Sequence, residues 1–153
     1  MNEPTDLTQL EINLQGPYVH GYWQTDDDEI LTNDTWISRS EVIVGQIEKE
    51  LQKNYSRQEL SEMSLLDIGC YDGWITNELF NRLGLREAVG VEPRKKNIDK
   101  GLVARKALKI DTECKFLEGS IDELENLFTT QRFDIVVCVG VFHHLYDHLS
   151  AMS

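Results

Sequence analysis

The sequence predicts an α/β fold built on a parallel sheet, and three observations carry that expectation. The first is a short apolar strand that ends in an acid and two close glycines, Leu65-Leu66-Asp67-Ile68-Gly69-Cys70-Tyr71-Asp72-Gly73, and leads straight into a helical pattern. The second is repetition: Ala88-Val89-Gly90-Val91-Glu92-Pro93, Cys114 to Ile121 and Phe133 to Leu145 each read as a further strand, with helix-length stretches between them. The third is that the last of these is apolar throughout its middle, the pattern of a strand buried on both faces.

In the first unit the strand stops at Ile68, the chain turns at Gly69, and Gly73 lets the next helix pack close to the sheet. Such a turn leaves backbone facing a ligand. At the end of the second strand, the carboxylate of Glu92 is placed to accept hydrogen bonds from both hydroxyls of a ribose. The third strand stops at Gly119, and an amphipathic run follows to Phe128. Ahead of these units, Trp36, Ile37, Val42, Ile43, Val44, Ile47 and Leu51 recur at roughly helical spacing, which predicts a helix over 35–54 with Asp34 or Thr35 as its cap. Residues 1–34 read as an acidic amino-terminal arm or lid, with Pro4, Pro17 and turn chemistry at Gln15-Gly16-Pro17. Residues 35–153 read as one domain.

Over residues 64–146 the chain resembles the class I S-adenosylmethionine-dependent methyltransferases, whose motifs occur in this order and at this spacing. The resemblance implies a Rossmann-like methyltransferase fold with sheet order 3-2-1-4, and S-adenosyl-L-methionine as cofactor. It implies that Asp67, Gly69, Cys70, Tyr71 and Gly73 wrap the methionine part of the cofactor, that Glu92 and Pro93 hold the ribose, that Ser120 and Ile121 border the adenine, and that Val139 closes the floor. Two positions depart from the family pattern. Tyr71 stands where a middle glycine is usual, and it is strained if it must adopt positive φ. Ser120 stands where an aspartate is frequent, and it would meet the adenine amino group as a neutral acceptor.

A dinucleotide site is the rival reading. Its loop runs Gly-x-Gly-x-x-Gly so that a helix amino end can meet a pyrophosphate. Here Asp67 precedes the first glycine and Asp72 lies inside the loop, and two carboxylates repel a pyrophosphate while suiting a ligand with an ammonium and a sulfonium.

At 153 residues the chain has the length of one domain. Set against the seven-stranded family fold it reads as truncated after the fourth strand, either a fragment or a half-sheet that another surface completes. The fourth strand then forms an apolar edge from Ile135 to Val141, which invites pairing with a second copy in a homodimer. A formal net charge of −12 argues against a nucleic-acid partner, so the expected methyl acceptor is a small molecule or a protein. Basic character lies at Arg94-Lys95-Lys96 and on to Lys109, a solvated helix face or a substrate-docking surface. Cys70, Cys114 and Cys138 have no spacing that suggests disulfides or zinc. No signal peptide or membrane span is apparent, and a cytoplasmic protein is expected.

Methyl transfer is an in-line displacement from an excellent leaving group, so it calls for alignment and dryness more than for a triad. No catalytic residue is therefore assigned. His143 and His144 are placed either to supply a base or to cap a helix and face solvent. His144 and His148, with Asp147 between them, have a spacing used by metal sites, but no third ligand is identifiable and no metal is expected. Tyr146 reads as packing. Tyr18, His20, Tyr22 and Trp23 either anchor the arm or, with Trp36, roof a sulfonium by cation–π attraction. Arg39 either pairs with the cofactor carboxylate or makes an ordinary surface ion pair. The expected function is methyl transfer to an unidentified acceptor. The alternative is a non-catalytic cofactor-binding fragment or an interaction module with an exposed fourth-strand edge.

Overall fold

The structure, a computed structural model, describes residues 34–107 and 113–140, with side chains left aside at 34–38, 103, 104, 106 and 107. The expectations placed on Tyr18, His20, Tyr22, Trp23, the ring of Trp36, the cap at Asp34 or Thr35, and His143 to His148 lie outside the described groups.

Helix α1 (Asp34–Asn54) and the short α2 (Arg57–Leu60) precede strand β1 (Ser64–Ile68), helix α3 (Trp74–Leu83) and strand β2 (Glu87–Glu92). Helix α4 (Lys95–Ala107) and strand β3 (Lys115–Glu118) follow, then a 3-10 turn at Ile121–Glu123, helix α5 (Leu124–Leu127) and strand β4 (Ile135–Val137). All three strand pairings are parallel and the order is β3-β2-β1-β4, as the resemblance implies. Every β1 residue is buried, which is why the strand reads as a continuous apolar run broken only by Asp67.

Successive side chains alternate between the faces of the sheet. Leu65, Ala88 and Val137 turn to one face, where Val44 of α1 and Trp74, Leu79 and Leu83 of α3 pack on them. Helix α4 lies on the same face, because Arg105 stacks on the Phe116 ring, and that ring is where a side chain at Gly90, two residues from Ala88, would go. Leu66, Ile68, Val89 and Val91 turn to the other face and meet Ile121, Leu124 and Phe128. Each fully buried leucine contributes about 1.5–3 kcal/mol before entropy is counted.

Two expectations need correction. The fourth strand is short, and it is not buried on both faces: Val136 is 60% exposed and stands outside the cluster that Ile121, Leu124 and Phe128 form on Leu66 and Val89. In α1, Val42 is 58% exposed although it shares the apolar pattern, since a helix cannot turn Val42, Ile43 and Val44 to one side. Val44 takes the core position.

Candidate functional site

Parallel pairing sets Ile68 opposite Val91 and Glu92 opposite Glu118, so the loops after β1, β2 and β3 emerge along one edge of the sheet. The loop after β1 is tied down at once. The carbonyl of Val91 accepts the N–H groups of both Gly69 (2.8 Å) and Cys70 (3.1 Å), and the Gly73 N–H donates to the Cys70 carbonyl (2.9 Å). Backbone φ is positive at every second residue, 71° at Gly69, 56° at Tyr71 and 81° at Gly73. The strain foreseen for Tyr71 is present, at about 1–2 kcal/mol for a residue with a side chain. Part of it is offset beneath the ring, where the Lys100 ammonium lies 5.8 Å from the centroid. Gly73 admits no side chain, since a Cβ there would stand 2.2 Å from Cε1 of Phe116.

The two loop acids have distinct environments. Asp67, buried on β1, accepts the Thr76 hydroxyl at 2.6 Å. Burial pushes its carboxyl up to about 6, against the lowering effect of that bond. Asp72 is also buried, and its Oδ1 accepts the Trp74 N–H at 3.2 Å, at the start of α3. The positive end of that helix, where a phosphate would sit, already holds a carboxylate. Between the two acids, burial and then the charges of Asp67, Glu92 and Asp72 push the Cys70 thiol well up. It packs against the Cα of Gly90 and stays protonated at neutral pH.

Glu92 ends β2 and is 3% exposed. Its Oε1 accepts from the Arg94 N–H (3.2 Å), the Arg94 guanidinium (3.2 Å) and the Asn97 amide (2.8 Å), while among the described residues no donor reaches Oε2. Pro93 follows, exposed. The Gly119 N–H donates to the Glu92 carbonyl (3.1 Å), which sets the turn after β3 beside it. There the Ser120 N–H and hydroxyl both donate to Oε2 of Glu123 (2.7 and 2.9 Å), which leaves lone pairs on the hydroxyl oxygen. Ile121 packs on the β1–β2 core, and Val139, two residues past β4, on the α1–α3 side. Arg39 is exposed on α1.

The segment after β2 is where the sequence misleads. Arg94, Lys95 and Lys96 are exposed as a solvated face should be, but Lys100 and Arg105 are 3% and 4% exposed. Thr76, Asn97, Lys100 and Arg105 support the site without having been singled out. The available signal was the spacing of Asn97, Gly101 and Arg105, four apart on one helix stripe. Among the described residues no group of three or more His, Cys, Asp or Glu could hold a metal ion, and no helix is long and apolar enough to cross a membrane.

A family model described as a methyltransferase domain matches residues 59–153. The chain belongs to the class I S-adenosylmethionine-dependent methyltransferase family. A Rickettsia typhi relative named ubiquinone biosynthesis O-methyltransferase is 26% identical over 141 residues, covering 92% of this chain and 52% of the relative. A Nitrobacter winogradskyi relative of the same name is 38% identical over 90 residues, covering 58% of this chain and 31% of that one. The chain thus spans about half the length of the first, and less of the second. The amino-terminal domain of EvdMO1, solved with S-adenosylhomocysteine bound, superposes with a TM-score of 0.72 at 16% identity, over 99% of this chain and 60% of that domain. The YcgJ protein of Bacillus subtilis does so with a TM-score of 0.56 at 20% identity, over 72% and 43%. Both likenesses establish the fold of this family member.

Proposed function

We propose that this chain carries the S-adenosylmethionine-binding side of an enzyme that transfers a methyl group to an oxygen of a small molecule. The observation that carries the reading is the carboxylate of Glu92, buried beside the glycine loop with Oε1 fixed by Asn97 and Arg94 and Oε2, which takes no described donor, left to accept from the hydroxyls of a ribose. The donor set fits the cofactor. Asp72 occupies the helix end that a pyrophosphate would need, and Asp67 adds a second carboxylate suited to a cationic ligand. In this reading Asp67, Gly69, Cys70, Tyr71 and Gly73 enclose the methionine part, Pro93 flanks the ribose, Ser120 and Ile121 border the adenine, and Val139 lies beneath. The bound cofactor would supply an activated methyl group. The chain's own part is to orient it and to exclude water. The names of the curated relatives favour oxygen over nitrogen or carbon as the acceptor.

Residues 35–153 act as the cofactor domain in this reading, and the acidic stretch 1–34 as its arm or lid. Calorimetry with S-adenosylmethionine and S-adenosylhomocysteine tests the assignment. Glu92→Ala should weaken binding by about 1.5–3 kcal/mol, the scale of hydrogen bonds to a charged group. An unchanged affinity removes Glu92 from the site.

A further inference from the structure

One stripe of α4 reaches both halves of the proposed site. Asn97, Gly101 and Arg105 are four residues apart, so they line up along the helix, and all three are buried. At one end the Asn97 amide donates to Glu92 at 2.8 Å. In the middle a Cβ on Gly101 would stand 1.9 Å from the Asp72 carbonyl oxygen, so helix and loop touch backbone to backbone. At the other end Nη1 of Arg105 donates to that same carbonyl at 2.9 Å, while its guanidinium lies 4.1 Å from the centroid of the Phe116 ring, against which Gly73 also rests.

We propose that this stripe is a brace in which Arg105 is the positioning residue for the Gly69–Gly73 loop and Asn97 the positioning residue for Glu92. The loop needs such a part. Its middle residue, Tyr71, sits in a backbone region that a side chain disfavours, and the Gly73 N–H to Cys70 carbonyl bond (2.9 Å) that closes the turn around it leaves the Asp72 carbonyl to be held from α4. A buried guanidinium is suited to the task, because it stays charged, bonds a carbonyl through one nitrogen and stacks on an aromatic face with its plane. The brace keeps the loop poised before any ligand arrives, so that binding need not order it.

The inference rests on the proposed cofactor reading, and the two are separable by experiment. Adenosine lacks the methionine part that the loop would enclose. In calorimetry on the full chain, Arg105→Met should weaken S-adenosylhomocysteine by about tenfold or more, the loss of one charge-assisted hydrogen bond, and leave adenosine within about twofold. Asn97→Ala should weaken both ligands alike. Equal loss of both ligands in Arg105→Met, or loss of neither, overturns the assignment of Arg105. If that variant does not fold, Arg105→Lys, which keeps a donor but not the stacked plane, should show the same split at smaller amplitude, and equal loss there overturns it equally. Hydrogen exchange without ligand supplies an independent reading. The amides of residues 69–73 should exchange faster in the variant while those of β1 and β2 hold, and an unchanged loop rules the brace out. Wild-type chain that binds neither ligand would sink the cofactor reading, and the exchange result would still decide the brace.

Discussion

The loop after β1 and the turn after β3 leave the same edge of the same parallel sheet, and they are held in opposite ways. Gly69 to Gly73 is fastened by distant partners: the Val91 carbonyl, the Arg105 guanidinium and the Phe116 ring. Gly119 to Glu123 has one such tie, the Gly119 N–H to the Glu92 carbonyl, and beyond it is fastened by itself, through the Ser120–Glu123 capping pair and the Glu123 N–H to Ser120 carbonyl bond (3.1 Å). The first is buried and strained; the second is half exposed and relaxed. A loop whose shape depends on residues far along the chain can hold a costly conformation, because the surrounding fold over-determines it. A turn written in four consecutive residues is limited to what local chemistry favours.

Alanine at the two glycines is the strongest way to break this contrast. Gly73→Ala should cost about 3 kcal/mol or more in a urea titration, since it combines positive φ with a Cβ inside the Phe116 ring. Gly119→Ala should cost about 1 kcal/mol or less, because the one close approach of its Cβ would be to the flexible end of Leu127, 2.6 Å from Cδ1, with Cγ1 of Val91 at an ordinary 3.5 Å. Similar losses at both sites would mean that the loop is no more constrained than the turn.

A second effect separates the regions by pH. Asp67 has its carboxyl raised to about 6 from an ordinary 3.8, so the folded chain holds that proton more tightly than the unfolded one. Its contribution is fully present below the ordinary value and is lost as the pH rises through about 6. Asp67→Asn should flatten stability over that window and leave the chain more stable at pH 8, by about 3 kcal/mol; an unaltered slope in the variant removes Asp67 as its source. On the turn side the sign is reversed. Glu123 is held below its usual range by the backbone N–H and then the hydroxyl of Ser120, so its contribution is lost as the pH falls. An effect comparable to that of Gly119→Ala is expected at Ser120→Ala, about 1 kcal/mol as for a lost helix cap, with no change in exchange at residues 69–73. A faster loop in that variant would tie the two regions together.

The same division explains what was legible in the sequence. The ends of the first three strands, the order of units, the glycine turn, the acid at Glu92 and the awkwardness of Tyr71 are all written in short stretches, and each appears where it was read, whereas the fourth strand stops short of its apolar run. The family resemblance supplied the strand order, which no local pattern contains. What stayed hidden are the long-range supports. Arg105 and Lys100 lie in a segment whose composition says surface, and only packing against Asp72, Tyr71 and Phe116 turns them inward. Val136 fails in the other direction, since an apolar strand residue does not disclose whether the covering cluster reaches it.

The carboxylate that Asp72 lays across the first turn of α3 has a practical corollary. Many nucleotide pockets take up sulfate or phosphate from their medium, because an uncapped helix start attracts any small oxyanion. This pocket brings its own, covalently attached and buried. Phosphate buffer should therefore neither compete with a nucleoside ligand here nor stabilise the empty chain beyond its ordinary salt effect. In the proposed cofactor reading, that one side chain is what turns the same strand, turn and helix away from phosphorylated ligands.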